Sequence, residues 1–184
     1  MLLILDELKT CPRVAMGGVQ EVFGVKADLT IVGKGLANGF AFAAVLGPKW
    51  LDSARHESRI MGTFNAELSG FAAMLATIEI LRREDAPREL ATLGSRFVDR
   101  TNHLLREQSL YDFVQLSAEP WPSMPRIRIG PRPDLERRLA SETARRGACV
   151  LCPHMSFVCL RHTTEELELA AAGVVAAASE LRKE

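Results

Sequence analysis

Short unbroken aliphatic runs mark the first third of the chain. Residues 2–5, 29–32 and 42–46 read as strands, set apart by loops carrying Gly17-Gly18, Gly24, Gly33, Gly35 and Gly39. A continuous run such as Leu2-Leu3-Ile4-Leu5 predicts a strand covered on both faces, as in a parallel sheet. Pro48 breaks this pattern, and the period then changes to that of a helix. Residues 67–83 predict a helix with an alanine-rich face (Ala72, Ala73, Ala76) beside Leu75, Ile78, Ile80 and Leu81. Pro87 suits the first position of a second helix running to about residue 108, with Leu90, Leu93, Phe97, Thr101 and Leu104 along one face.

The last part of the chain alternates more. Residues 113–118 and 126–129 predict strands, joined by a proline-stiffened loop, Glu119-Pro120-Trp121-Pro122-Ser123-Met124-Pro125. Asp134 is the expected cap of a helix that runs to about Arg146 and ends at Gly147. Residues 149–151 and 157–160 predict two further short strands. Thr163 and Glu166 have the spacing of a capping box, followed by a helix packing through Leu167, Ala171, Val174, Ala178 and Leu181. There are no repeats. A boundary near residues 83–87 separates a glycine-rich part, 1–86, from a smaller α/β part, 87–184.

Composition narrows the class. The 184 residues hold 23 Lys and Arg against 23 Asp and Glu, a balance that argues against a nucleic-acid binder or a polybasic membrane surface. Four irregularly placed cysteines do not make a disulfide scaffold, so a reducing, cytoplasmic setting is expected. The apolar run at the start stops at Asp6-Glu7, too short for a signal peptide or a membrane span. Because the chain opens on a strand that should lie inside a sheet, it reads as a piece of a larger α/β protein.

Two charged residues stand out against this background. Asp6 closes one aliphatic run, and Lys34 closes another between Gly33 and Gly35. In open α/β sheets, ligands bind at the carboxyl ends of strands. An ordinary ion pair or simple exposure is the bland alternative, but the glycines around Lys34 open space for a bulky ligand. A lysine partly withdrawn from water there is a usable amine nucleophile.

The residues around this pair carry a resemblance. The segments Leu3-Ile4-Leu5-Asp6-Glu7-Leu8, Gly24-Val25-Lys26-Ala27-Asp28-Leu29, Gly33-Lys34-Gly35-Leu36-Ala37-Asn38-Gly39 and Gly62-Thr63-Phe64-Asn65-Ala66-Glu67 resemble, in that order, the class-III pyridoxal-phosphate aminotransferases. That group includes glutamate-1-semialdehyde aminomutase. The stretch Arg161-His162-Thr163-Thr164-Glu165-Glu166 with its following helix is similar to the ends of those chains. The resemblance implies a fold-type I large domain, mostly parallel in its sheet, over residues 1–86 and a small C-terminal α/β domain over 87–184. It implies pyridoxal 5'-phosphate as cofactor and an amino acid, or an amino-aldehyde or keto compound, as substrate. A homodimer is implied for the full-length form, with neither nucleic acid nor membrane as a partner.

By the same resemblance, Asp6 pairs with the protonated pyridine nitrogen and keeps the ring an electron acceptor. Lys34 forms the Schiff base with the cofactor aldehyde and then serves as base and acid at the substrate carbon. Thr63 reaches the cofactor phosphate of the neighbouring subunit, where Gly62 and the start of the following helix suit an anion. Glu7 is given a structural role.

There are departures from the family pattern. Cys11-Pro12-Arg13 replaces a common Gly-Phe-Arg, Gly39-Phe40-Ala41 lacks the usual proline, and Asn65-Ala66-Glu67-Leu68 replaces Ser-Gly-Asn-Pro. These bear on the substrate rather than on the core chemistry. Complete members are more than twice as long, and their N-terminal half carries a phosphate-cradling loop and a ring-stacking aromatic that nothing here replaces. The chain therefore reads as a C-terminal half, doubtful as a catalyst alone. The alternative is an inactive half-enzyme kept as an interaction protein, against which the retention of both Asp6 and Lys34 argues.

Other groups deserve weighing. Cys149, Cys152, Cys159 and His162, with His154 between, have the count of a four-ligand zinc site, but the cysteines sit in apolar runs and read better as small buried hydrophobes. No metal is therefore expected. His162 reads as structural, Trp121 as packing or surface, and Arg13 equally as a carboxylate contact or a solvated or phosphate-facing cation.

Overall fold

The aliphatic runs of the first third pair into one three-stranded sheet in the computed structural model, which describes residues 1–58, 62–65, 67–130 and 132–183. The chain forms two units, Met1–Pro87 and Arg88–Glu184. In the first, β1 (Ile4–Asp6) runs parallel to β2 (Leu29–Gly33), with Asp6 opposite Ile31. β3 (Ala43–Leu46) returns antiparallel on the far side of β2, so β1 and β3 are the two edges. The expectation of a strand covered on both faces is not met within this chain. Leu2, Leu3 and Ile4 are 51%, 41% and 52% exposed, and no described residue covers them.

Two short helices lie where no pattern announced them. α1 (Val19–Phe23) fits between Gly18 and Gly24, whose φ of 62° ends it. α2 (Asp52–Ser58) forms from a polar stretch with no apolar period to reveal it. α3 (Leu68–Arg83) then packs against the 3-10 turn Lys34–Ala37. Gly70 permits that approach, since a β-carbon there would lie 2.7 Å from the Ala41 carbonyl oxygen. Phe42 and Phe71 meet edge to face beside it, with centroids 5.3 Å apart.

The second unit is built on α4 (Ala86–Glu107), an antiparallel pair β4 (Val114–Ser117) and β5 (Arg126–Ile129), and helices α5 (Glu136–Arg145) and α6 (Thr164–Leu181). Its core joins Phe97 and Leu105 of α4, Val114 and Ile127 of the strands, Leu139 of α5 and Val174 of α6. The capping box of α6 is complete: Glu166 N–H donates to Thr163 Oγ1 (3.2 Å), and Thr163 N–H to Glu166 Oε2 (2.8 Å).

Three expectations need correction here. Asp134 does not cap α5. It lies in the 3-10 turn Pro133–Leu135, where the Arg132 guanidinium takes its carboxylate (Nη2 to Oδ2 2.8 Å) and holds it below the usual carboxylate range. Residues 149–151 and 157–160 are not strands. Ser156 and Val158 donate to the carbonyls of Pro125 and Ser123, but Pro125 has no N–H to return, and the Leu151 N–H is taken by the Ser156 hydroxyl (2.9 Å). Third, of the cysteines expected to be buried, Cys149 and Cys159 are exposed and only Cys152 is buried.

Candidate functional site

Asp6 and Lys34 come to the same end of the sheet. Asp6 is the last residue of β1, and Lys34 follows the last residue of β2, the parallel neighbour. Lys34 has a φ of 51°, a left-handed conformation that non-glycine residues rarely hold and that recurs at functional sites. Space around it is uneven. At Gly33 a β-carbon would crowd the Phe42 carbonyl (2.9 Å) and Leu8 Cδ2 (3.0 Å), whereas at Gly35 it would meet nothing within 4 Å. The lysine turn is thus clamped from behind and open in front.

Both side chains are exposed in this chain. The withdrawal of Lys34 from water expected from the sequence is therefore not supplied by the described residues around it. Asp6 Oδ1 accepts the Leu8 N–H (3.0 Å), which orients the carboxylate. Glu7, by contrast, is fully buried. Cys11 lies nearby, its thiol pushed up to about 11 by burial and by the negative charges of Glu7 and Glu21. That places it far from a reactive thiolate. Arg13 is half-buried, and its backbone N–H donates to the Thr10 carbonyl (2.7 Å).

Thr63 is exposed, in a turn closed by the Asn65 N–H on the Gly62 carbonyl (3.1 Å), shortly ahead of α3. The helix-start amides that suited an anion already have one. The Glu67 carboxylate accepts from Ser69 N–H (2.8 Å), Gly70 N–H (2.9 Å) and Ser69 Oγ (2.7 Å). Those bonds hold Glu67 below its ordinary value. An acidic residue one step before an apolar helical period was the signal for this cap. Any anion at Thr63 must therefore use its hydroxyl and the turn.

The zinc arithmetic does not close in space. Among the described residues no three His, Cys, Asp or Glu side chains gather as metal ligands. Cys152 donates its thiol to the Ile127 carbonyl (3.4 Å) and is pushed up to about 12, chiefly by burial. His162 accepts the Cys159 N–H at Nδ1 (3.3 Å), which makes it part of a turn. Trp121 is half-buried, its carbonyl accepting the Met124 N–H (2.9 Å). No described helix is long and apolar enough to cross a membrane.

The fold is that of part of the pyridoxal-phosphate-dependent transaminases. An omega-transaminase from Sphaerobacter thermophilus superposes on 99% of the chain with a TM-score of 0.82 at 25% identity, using 45% of its own length. The class-III aminotransferase family model matches residues 1–116, and the chain belongs to that family. The family's cofactor is pyridoxal 5'-phosphate. A 3-aminobutyryl-CoA aminotransferase of Cloacimonas acidaminovorans is 29% identical over 99% of the chain. A glutamate-1-semialdehyde 2,1-aminomutase of Hyperthermus butylicus is 41% identical over 52% of it. The chain spans 44% of the first of these relatives and 23% of the second is matched.

Proposed function

We propose that this chain carries the lysine-and-aspartate half of a pyridoxal-phosphate site that moves an amino group, as a class-III aminotransferase or aminomutase does. The observation that supports it most is the placing of Asp6 and Lys34 at the carboxyl ends of two hydrogen-bonded parallel strands, with open space at Gly35. The residues fit the cofactor: an amine for its aldehyde, a carboxylate for its ring nitrogen, and a hydroxyl at Thr63 for a phosphate. When bound, the cofactor supplies an electron sink for the carbanion formed at the amino-bearing carbon. Lys34 would hold the cofactor through its amine, and the same amine would move a proton at the substrate carbon. Asp6 keeps a positive charge on the ring by pairing with it. Thr63, exposed and outside the strand ends, donates to the phosphate held by a second copy in a homodimer of the longer form. Substrates are amino acids or amino-aldehydes and their keto partners.

The test is covalent. Pyridoxal phosphate followed by borohydride is expected to fix the cofactor on the peptide bearing Lys34, and Lys34→Ala is expected to abolish that label. Labelling spread over Lys26, Lys49 and other lysines, and unchanged in Lys34→Ala, would sink the assignment. In a longer form of the protein, Thr63→Ala should weaken cofactor retention, read by dialysis, while the Lys34 linkage still forms.

A further inference from the structure

Among the described residues of the first unit, Glu7 is the one fully buried carboxylate, and the proposed chemistry gives it no part. Burying a carboxylate is costly unless it is well hydrogen-bonded, and a residue that merely filled space would be apolar. Its surroundings meet that requirement. The carboxylate accepts from the Thr10 hydroxyl and from the Gln20 N–H (3.1 Å). Gln20 Nε2 in turn donates to the hydroxyl of Thr30 (3.2 Å), a buried residue of β2. Gly18, at φ 75°, leaves the room, for a β-carbon there would lie 2.5 Å from the Glu7 carboxylate. The backbone of Glu7 is anchored too: its N–H donates to the Ile31 carbonyl (2.9 Å), carrying the β1–β2 pairing one residue past Asp6.

These bonds bear on Asp6 through a short path. The Asp6 carboxylate is oriented by the Leu8 N–H, and the residue between them is Glu7. A turn of the Glu7 backbone would swing that N–H away from Asp6. We infer that Glu7 is a positioning residue for Asp6: by tying the loop after β1 to the first turn of α1 and to β2, it fixes the direction of the Asp6 carboxylate. The inference rests on the proposed role of Asp6 toward the cofactor ring, but its test needs no cofactor.

The test is nuclear magnetic resonance on the full 184-residue chain. It follows the Asp6 side-chain carboxyl carbon and the hydrogen exchange of the Leu8 and Gln20 amides. In Glu7→Ala, both amides should exchange at least about tenfold faster and the Asp6 carboxyl resonance should move, while the Leu116 amide of the second unit keeps its rate. Glu7→Gln should rescue all three, because the carboxamide oxygen still accepts from Gln20 and its NH2 can donate to the Thr10 hydroxyl. Should Glu7→Ala fail to fold, Thr10→Val removes a single bond and is expected to move Leu8 and Asp6 in the same direction by less. Faster exchange at Gln20 with Leu8 and Asp6 at their original values would overturn the inference, leaving Glu7 as a loop tie only. So would a lack of rescue by Glu7→Gln. Absence of a borohydride label at Lys34 in the unsubstituted chain counts against the proposed function and leaves this result standing.

Discussion

Asn102 substitutes for a strand with one side chain. Its Nδ2 donates to the Leu116 carbonyl (2.8 Å) and its Oδ1 accepts the Leu116 N–H (2.9 Å), all of it buried. The helix α4 thereby satisfies an open backbone position of β4. Asn102→Ala strands both groups of Leu116 in an apolar interior, where each unmade bond costs about 1–3 kcal/mol. The midpoint of urea unfolding should fall accordingly with an unchanged slope, and a loss under about 0.5 kcal/mol would mean that water reaches the site. Glu67 gives a pH signature at the same scale. Its folded value is depressed by the amides and hydroxyl that it accepts, so its contribution is present above its unfolded value and lost as pH falls through the folded one. Acid fraying of α3 below the ordinary glutamate range is expected in the native chain. In Glu67→Gln the pH dependence of α3 amide exchange over that range should shrink, and an unchanged profile would assign the fraying to other carboxylates.

Among the elements, α4 and the proline loop are fitted more closely than any side chain requires. A β-carbon on Gly94 would sit 1.8 Å from the Pro122 carbonyl oxygen, and backbone cannot give way as a flexible side chain can. Gly94→Ala is therefore expected to destabilise the second unit by about 1–3 kcal/mol or more, despite the better helix propensity of alanine. A neutral or stabilising result in thermal unfolding would show that the loop shifts freely. The long helices were legible because their apolar period and their ends are written locally: Thr163 and Glu166 for α6, Gly147 at φ 90° after α5. Asp6 and Lys34 were legible as strand ends for the same reason. What escaped depends on partners distant in sequence. The stretches about Cys149 and Phe157 have strand composition, yet Pro125 has no N–H to return to Ser156, and the Leu151 N–H turns to the Ser156 hydroxyl. Glu7 reads as structural, but its full burial is not legible until Gln20 closes on it. Gly94 carries no hint of Pro122, and α2 has no apolar stripe at all.

For the whole molecule, the exposed large apolar side chains are distributed very unequally among the described residues. Leu151 and Leu169 lie in the second unit; the rest lie in the first. Some of these lie on the outer strands, as Ile4, Val45 and Leu46, and some on a stripe of α3 at helical spacing, Leu68, Phe71 and Leu75. Open sheet edges and contiguous apolar surface both favour association. The 184-residue chain by itself is thus expected to self-associate, with a sedimentation coefficient that rises with concentration. Leu68→Glu with Leu75→Glu should reduce that association without touching Asp6, Lys34 or Glu7. The same exposure bears on catalysis. Rate depends on holding the cofactor ring rigidly against the substrate carbon, and here Lys34 and Asp6 stand exposed at the end of a three-stranded sheet. Amino-group transfer by this chain alone should be negligible even where Lys34 takes the borohydride label. A chain that stays monomeric across concentrations and turns over amino donor at a robust rate abolished by Lys34→Ala would show that these residues complete a site unaided.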